Sequence, residues 1–128
     1  MATKSISTLE QGSMAGTAKG FHIRISPYKL RRVANVVRGK ESILAEALLK
    51  QLPQKGARLL LKILQSAIAN ARYQSPGENK SLFISELMVN EGSHFKRFQP
   101  RARGRIYKVI KRTCHVNLSV STKQQGAR

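Results

Sequence analysis

The sequence has no aspartate, a single cysteine and no long apolar run, and each of these features argues against a class of protein. With one cysteine the chain cannot form an internal disulfide, which fits a reducing compartment. The most apolar stretch, residues 57–71, is interrupted by charged and amide side chains and is shorter than the roughly 18 to 20 residues that span a bilayer. We therefore expect neither a disulfide-stabilised protein nor a membrane protein.

Acidic residues are scarce, since the six acids are all glutamates and are scattered along the chain. An active site needs an acid–base pair, an activated nucleophile or a metal cluster, and no such grouping is visible. Residues 39–42 resemble the end of a phosphate-binding loop, but Glu41 stands where Ser or Thr should follow Lys40. Cys114 and His115 are neighbours on a predicted strand, so they point to opposite faces and are not expected to share a metal ion. The sequence predicts no enzyme, no catalytic residue, no metal, no cofactor and no small-molecule substrate.

Positive charge is abundant, with 24 Lys and Arg residues, a formal charge of +18 and a pI of about 11.2. No carboxylate occurs from Gly92 to the C-terminus, so the basic run that begins there has no local counter-charge. Such an excess of basic over acidic residues indicates a nucleic-acid partner. The eight cations of the run are Lys96, Arg97, Arg101, Arg103, Arg105, Lys108, Lys111 and Arg112.

The length of 128 residues fits one domain, which we place at residues 19–121 between a flexible extension, residues 1–18, and a tail, residues 122–128. Apolar alternation predicts a short strand over residues 21–25, a rising strand after residue 81 and a last strand over residues 113–121. In the rising strand the alternation fails near Ser85 and Glu86, which indicates a bulge. Cys114 is expected in the core and His115 on the surface or facing RNA.

Three helices are predicted between the first two strands. The first starts at Ser26 and Pro27 and ends at Gly39, with an apolar stripe every three to four residues. The second runs over residues 42–52 and the third over residues 54–73, which carries the longest apolar face. The apolar residues expected to face inward from the second helix are Leu44, Ala47 and Leu48. The fold class is α+β, with three helices packed on a small antiparallel three-stranded sheet.

The basic run connects the second and third strands as one long, protruding β-hairpin over residues 81–121, whose tip we expect at residues 93–100. Aromatic side chains among the cations suit stacking on irregular RNA, because arginine binds phosphate and also lies flat on bases. A second basic patch on the body is formed by Lys29, Arg31, Arg32, Arg38 and Lys40. Two separate patches indicate contact with several RNA segments.

Several ordered segments of the chain carry a family resemblance. They are residues 26–34 (SPYKLRRVA), 37–40 (VRGK), 66–71 (SAIANA), 89–92 (VNEG), and 96–105 (KRFQPRARGR) with 111–116 (KRTCHV). With these segments the chain resembles the family of the twenty-second protein of the large ribosomal subunit, in its bacterial and plastid form, from Phe21 to Val120. Residues 1–18 depart from this pattern as an extension without an assigned role. The residues at positions 107 and 113–115 are more similar to those of cyanobacterial and plastid members, which favours the plastid stroma over a bacterial cytoplasm.

This resemblance implies a structural protein that binds large-subunit rRNA, aids subunit assembly and sends its hairpin to line the nascent-peptide exit tunnel. Its implied partners are rRNA, neighbouring large-subunit proteins and the nascent polypeptide. The alternative from the residues alone is a free basic RNA-binding regulator or RNA chaperone. The implied tunnel residues are His94, Phe95, Lys96, Arg97 and Phe98, and the implied rRNA ligands are Lys29, Arg31, Arg32, Arg38, Lys40, Arg101, Arg103, Arg105, Lys108, Lys111 and Arg112.

Overall fold

The structure is a computed structural model that describes residues 14–76 and 81–122, and the side chains from residue 16 onward in the first of these ranges. Its helices and strands confirm the predicted α+β class. In chain order the elements are β1 (Met14–Ile23), α1 (Pro27–Val37), α2 (Ser42–Gln51), α3 (Lys55–Gln74), β2 (Phe83–Glu91), β3 (Phe95–Pro100), a short 3-10 turn (Ala102–Gly104), β4 (Ile106–Lys111) and β5 (Cys114–Ser121).

The main sheet has three antiparallel strands in the order β1, β5, β2, so the last strand of the chain lies in the centre. The first strand is longer than predicted, because it begins at Met14 rather than Phe21 and pairs along the length of β5. Residues 14–18 therefore belong to the sheet and not to a flexible extension, while residues 1–13 and 123–128 lie outside the described residues. At its other end β1 stops at Ile23, before the predicted end at residue 25.

The hydrophobic core lies between this sheet and the three helices. Helix α3 packs mainly against β1, with Leu60, Leu64 and Ala67 completely buried. Burying each such leucine stabilises the fold by roughly 1.5–3 kcal/mol. Close approach of β1 to α3 depends on Gly16, since a Cβ there would lie 2.5 Å from the carbonyl oxygen of Ala67. The predicted apolar face of the third helix is confirmed, except that Leu61 is only half-buried.

Helix α1 begins and ends as its sequence predicts. Ser26 is the N-cap with extended backbone, and Pro27 occupies the first turn, where its missing N–H costs no hydrogen bond. Gly39 follows the helix with φ +75°, a left-handed conformation that ends helices at low cost. Its predicted apolar stripe, Leu30, Val33, Ala34 and Val37, is buried.

Helix α2 has the predicted position, but its buried face is shifted by one residue. Ala45 and Leu49 are buried, whereas Leu44 is 51% exposed, Ala47 is exposed and Leu48 is only half-buried. The prediction that Leu44 and Ala47 face inward is therefore wrong, whereas Leu48 packs against the core as predicted. Apolar residues occur on several sides of this helix, so periodicity does not single out one face, and contact with α3 decides it.

The rising strand β2 contains the predicted irregularity, because its register against β5 shifts between Ile84 and Glu86. The bulge lets Ile84, Leu87 and Val89 all face the core although their parity differs. The loop from α1 to α2 bonds to the start of β2, because the N–H of Ile84 donates to the carbonyl of Lys40 at 3.0 Å. Strand β2 is an edge of the main sheet.

Candidate nucleic-acid interface

Strands β3 and β4 form a separate two-stranded sheet that continues the hairpin beyond the body. Phe95 pairs with Lys111 at its root, and Pro100 pairs with Ile106 next to its end. The turn is closed by the N–H of Arg101, which donates to the carbonyl of Arg105 at 2.7 Å. The tip is therefore residues 101–105, and the predicted tip at residues 93–100 is wrong. Residues 95–100 form one arm of the hairpin instead.

The backbone of the turn explains why the chain reverses at residues 101–105. Arg103 and Gly104 both have positive φ, at 60° and 70°. Two successive left-handed residues reverse the chain, and glycine adopts this conformation without strain. Pro100 is also typical of turns, but here it ends β3, where its missing N–H is tolerated in a two-stranded ribbon.

Both faces of this ribbon are exposed. Residues paired directly across it share a face, so Phe98 lies beside Lys108 on one face, and Arg97 lies beside Val109 on the other. All side chains of β3 are exposed, and in β4 only Val109 is half-buried. Phe98 and Ile106 are each 66% exposed. Exposed apolar groups beside unneutralised cations indicate a surface that a polyanionic partner covers on both sides.

The root of the hairpin is fixed to the body by specific contacts. The hydroxyl of Thr113, which is fully buried, donates to the carbonyl of Ser93 at 2.6 Å. The guanidinium of Arg24 lies 4.9 Å from the ring centroid of Phe95. These contacts orient the ribbon relative to β1 and β5. Arg24 had no role in the sequence prediction, because only the fold brings it next to the basic run.

His115 and Cys114 take the positions that strand geometry requires. The imidazole of His115 is half-buried, and its Nδ1 accepts a hydrogen bond from the backbone N–H of His22 at 3.1 Å. Contact of this side chain with RNA stays a prediction. Cys114 is completely buried, as expected of a core residue. Burial raises the pKa of its thiol above the ordinary value of 9.0, and the positive charge of Arg31 opposes this only in part. Among the described residues no group of three or more metal-ligating side chains comes together.

The predicted patch on the body divides into two sets of cations. Arg31 donates from Nε and Nη2 to the carbonyl oxygen of Val89, and Arg38 does the same to that of Leu87. These carbonyls point outward from the edge strand β2, so the two arginines satisfy groups that would otherwise invite another strand. Both guanidiniums are therefore held in place by the protein.

The other cations of α1 face a different element. Lys29 and Arg32 line a concavity between α1 and the start of α3, and the side chains of both are exposed. Lys55, the first residue of α3, lies on the same rim and was not predicted. The sequence carries no signal for it, because 23 positions separate Lys55 from Arg32 and only helix packing brings them together. Lys40 lies in the loop between α1 and α2, and its carbonyl accepts a hydrogen bond from the N–H of Ile84 in β2.

No helix among residues 14–76 and 81–122 is long and apolar enough to cross a membrane.

Comparison with known proteins gives a consistent result. The family model described as Ribosomal protein L22p/L17e matches residues 18–121. The large ribosomal subunit protein uL22 of Mycoplasma mycoides is 46% identical over 108 residues, which cover 84% of this chain and 97% of the relative. The corresponding protein of Mycoplasmopsis synoviae is 46% identical over 95 residues, with coverage of 74% and 84%. The large ribosomal subunit protein uL22c of Marchantia polymorpha is 44% identical over 97 residues, with coverage of 76% and 82%. The chain therefore belongs to the ribosomal protein L22p/L17e family, a family of structural rather than catalytic proteins.

Proposed function

We propose that this chain is a structural constituent of the large ribosomal subunit that binds large-subunit rRNA and aids subunit assembly. The observation that carries the proposal is the ribbon of β3 and β4, which is exposed on both faces and, with its turn, contains seven cations. Arg112 follows directly, and no carboxylate side chain lies between Gly92 and Arg112. Because the chain belongs to a ribosomal protein family, rRNA is the polyanion that this ribbon would bind. Binding neutralises repulsion between rRNA segments that meet around the hairpin.

The hairpin also lines the nascent-peptide exit tunnel in this proposal. A slender two-stranded ribbon without a packed face can enter a narrow space between RNA helices, whereas the globular body cannot. The tip, residues 101–105, reaches farthest from the body, and Lys96, Arg97 and Phe98 lie along the arm behind it. Contacts with the tunnel wall and the nascent polypeptide follow along this whole length, from His94 and Phe95 at the root to Arg103 at the tip.

The body contributes further rRNA contacts on both sides of α1. Lys29 and Arg32 act on one side, and Arg31 and Arg38 act beside the edge of β2 on the other. Lys40 acts from the loop that follows α1. Neighbouring large-subunit proteins complete the set of partners. The subunit is that of a plastid or of a bacterium, because relatives of both kinds match to a similar degree. The residue types at positions 113–115, Thr-Cys-His, favour the plastid stroma.

Sedimentation tests the assembly role. Full-length tagged chain, expressed in cells of the source or of a bacterial host, is followed through a sucrose gradient at low salt and at high salt. A structural constituent remains with large subunits under both conditions. A free RNA-binding regulator or chaperone leaves them as salt rises, because its contacts are few and reversible. Recovery only in the light fractions would refute the proposal.

Cross-linking tests the tunnel role. A photoreactive residue replaces Arg103 at the tip or Arg97 on the arm, in ribosomes that hold a stalled, radiolabelled nascent chain. We expect both positions to cross-link to the nascent chain or to tunnel-wall rRNA. Cross-links only to surface rRNA or to other proteins would leave an rRNA-binding protein whose hairpin does not reach the tunnel.

A further inference from the structure

A ligand-sized concavity lies at the junction of α1 with the α2–α3 turn, on the opposite side of α1 from the edge of β2. Its volume is about 600 Å³, which falls within the roughly 300–1,000 Å³ typical of ligand pockets. Its floor is apolar and its rim is polar. The lining residues are Ile25, Lys29, Arg32, Val33, Val36, Leu52, Gln54, Lys55 and Gly56.

The floor is rigid because two helices meet closely beneath it. Gly56 is buried, and a Cβ at this position would lie 3.0 Å from Cδ1 of Leu30 and 3.5 Å from Cγ2 of Val33. Leu30 and Val33 are core residues of α1. The concavity is therefore part of the packed body rather than a gap between loops, and it exists before any partner binds.

The rim carries three cationic side chains that have no partner among the described residues. Lys29, Arg32 and Lys55 are exposed, and within the described ranges no hydrogen bond, ion pair or ring contact joins their side chains to another residue. No carboxylate lines the concavity. Arg31 and Arg38, on the same helix, are instead committed to the carbonyls of β2. The unused cations thus surround an apolar site, whereas the paired ones face the sheet edge.

We propose that this concavity binds one unpaired nucleotide of RNA, with its base on the apolar floor and its phosphates among Lys29, Arg32 and Lys55. The inference rests on the proposed rRNA-binding function and assigns a ligand to a part of the body. A contact made only by phosphates would need the cations but would leave the apolar floor empty. A paired base is stacked inside its helix and so cannot reach the floor. An unpaired nucleotide combines a flat, weakly polar group with an anion on either side, and such bases are what proteins read in RNA.

An acidic protein segment would match the cations but would leave the apolar floor without a counterpart. The apolar floor together with the cationic rim therefore favours RNA over protein as the occupant.

Site-specific cross-linking of the full-length chain in large subunits tests the proposal. A photoreactive phenylalanine analogue replaces Val36, a wall residue that is 39% exposed, or Ile43, a control on α2 that is 72% exposed and outside the concavity. A third variant carries it in place of Arg103 at the hairpin tip. We expect Val36 to cross-link to one unpaired nucleotide of large-subunit rRNA, with little reaction at Ile43. Combining the Val36 probe with Lys55→Gln should reduce that cross-link severalfold and leave the Arg103 cross-link unchanged.

The outcomes separate the two proposals. A Val36 cross-link to protein, its absence, or equal labelling of rRNA from Val36 and Ile43 overturns the nucleotide site if Arg103 still labels rRNA. Failure of all three positions to label rRNA overturns rRNA binding as well. Chemical probing provides a second measurement that needs no bulky residue. Wild-type chain should protect one unpaired nucleotide that Lys55→Gln leaves reactive, with the other protections retained, and an identical pattern for both chains overturns the site.

Discussion

Removing the three arginines of the hairpin tip should weaken rRNA binding through lost phosphate contacts. In the variant Arg101→Gln, Arg103→Gln, Arg105→Gln every altered side chain is exposed, and the turn is closed by backbone atoms, so the fold should persist. Each phosphate contact contributes roughly 0.7–0.9 to the slope of log K against log salt, so eight hairpin cations give about −6 to −7. The variant should lower the magnitude of this slope by roughly 2 to 3, and its affinity at about 0.1 M salt should fall by about 100- to 500-fold.

The assay is fluorescence anisotropy of the full-length chain with a labelled large-subunit rRNA fragment, over a series of salt concentrations. A matched control removes the same charge from the exposed side of α3, as Arg58→Gln, Lys62→Gln, Arg72→Gln. This control should change the slope by less than one. If it lowers slope and affinity as much as the tip variant does, binding depends on net charge alone, and the role assigned to the hairpin is refuted.

Three further predictions concern the body. Arg38→Gln should lower the free energy of unfolding by about 1 kcal/mol, because the carbonyl at the β2 edge loses its partner. Arg32→Gln should change the free energy of unfolding by less than about 0.5 kcal/mol but should weaken RNA binding. Equal free energies of unfolding for Arg38→Gln and Arg32→Gln in urea would contradict the distinction between an arginine bonded to β2 and one that is free to bind RNA. Leu49→Ala should cost about 2–5 kcal/mol in urea unfolding, whereas Leu44→Ala should cost less than about 0.5 kcal/mol, and the reverse order would restore the face predicted from periodicity. Because burial raises the folded-state pKa of the Cys114 thiol above 9.0, the unfolded chain ionises first. The contribution of this thiol to the free energy of unfolding is therefore complete below pH 9.0 and is lost as pH rises from there through the folded-state pKa. We expect the free energy of unfolding of Cys114→Ala to fall less steeply with alkaline pH than that of wild type. Parallel declines of the two chains would contradict this prediction.

The elements that were predicted correctly have strong local signals. Pro27 in the first turn of α1 and Gly39 after its end mark that helix, and the break in alternation near Ser85 marks the bulge in β2. The face of α2 was wrong, since Leu44 and Leu49 are equally apolar and only contact with α3 separates them. Local pattern succeeds where one residue type is physically required, and it fails where several arrangements bury similar area.

The hairpin tip shows the same limit. Pro100 and Gly104 are both typical of turns, and the sequence does not rank them. The structure selects Gly104, because pairing of Pro100 with Ile106 continues the ribbon to residue 100 before the chain reverses. A shift of a few residues in the turn changes which cations reach farthest from the body.

The sequence by itself determined the charge of the chain, the places where its helices begin, the basic run without acidic residues from Gly92 onward and the family to which the chain belongs. Only the tertiary structure decided how each cation is used. Arg31 and Arg32 are adjacent, yet one bonds to the edge of β2 and the other faces the concavity beside Lys55. The physical reason is that successive residues of a helix point about 100° apart. Their partners come from distant parts of the chain that only packing brings to either side of α1.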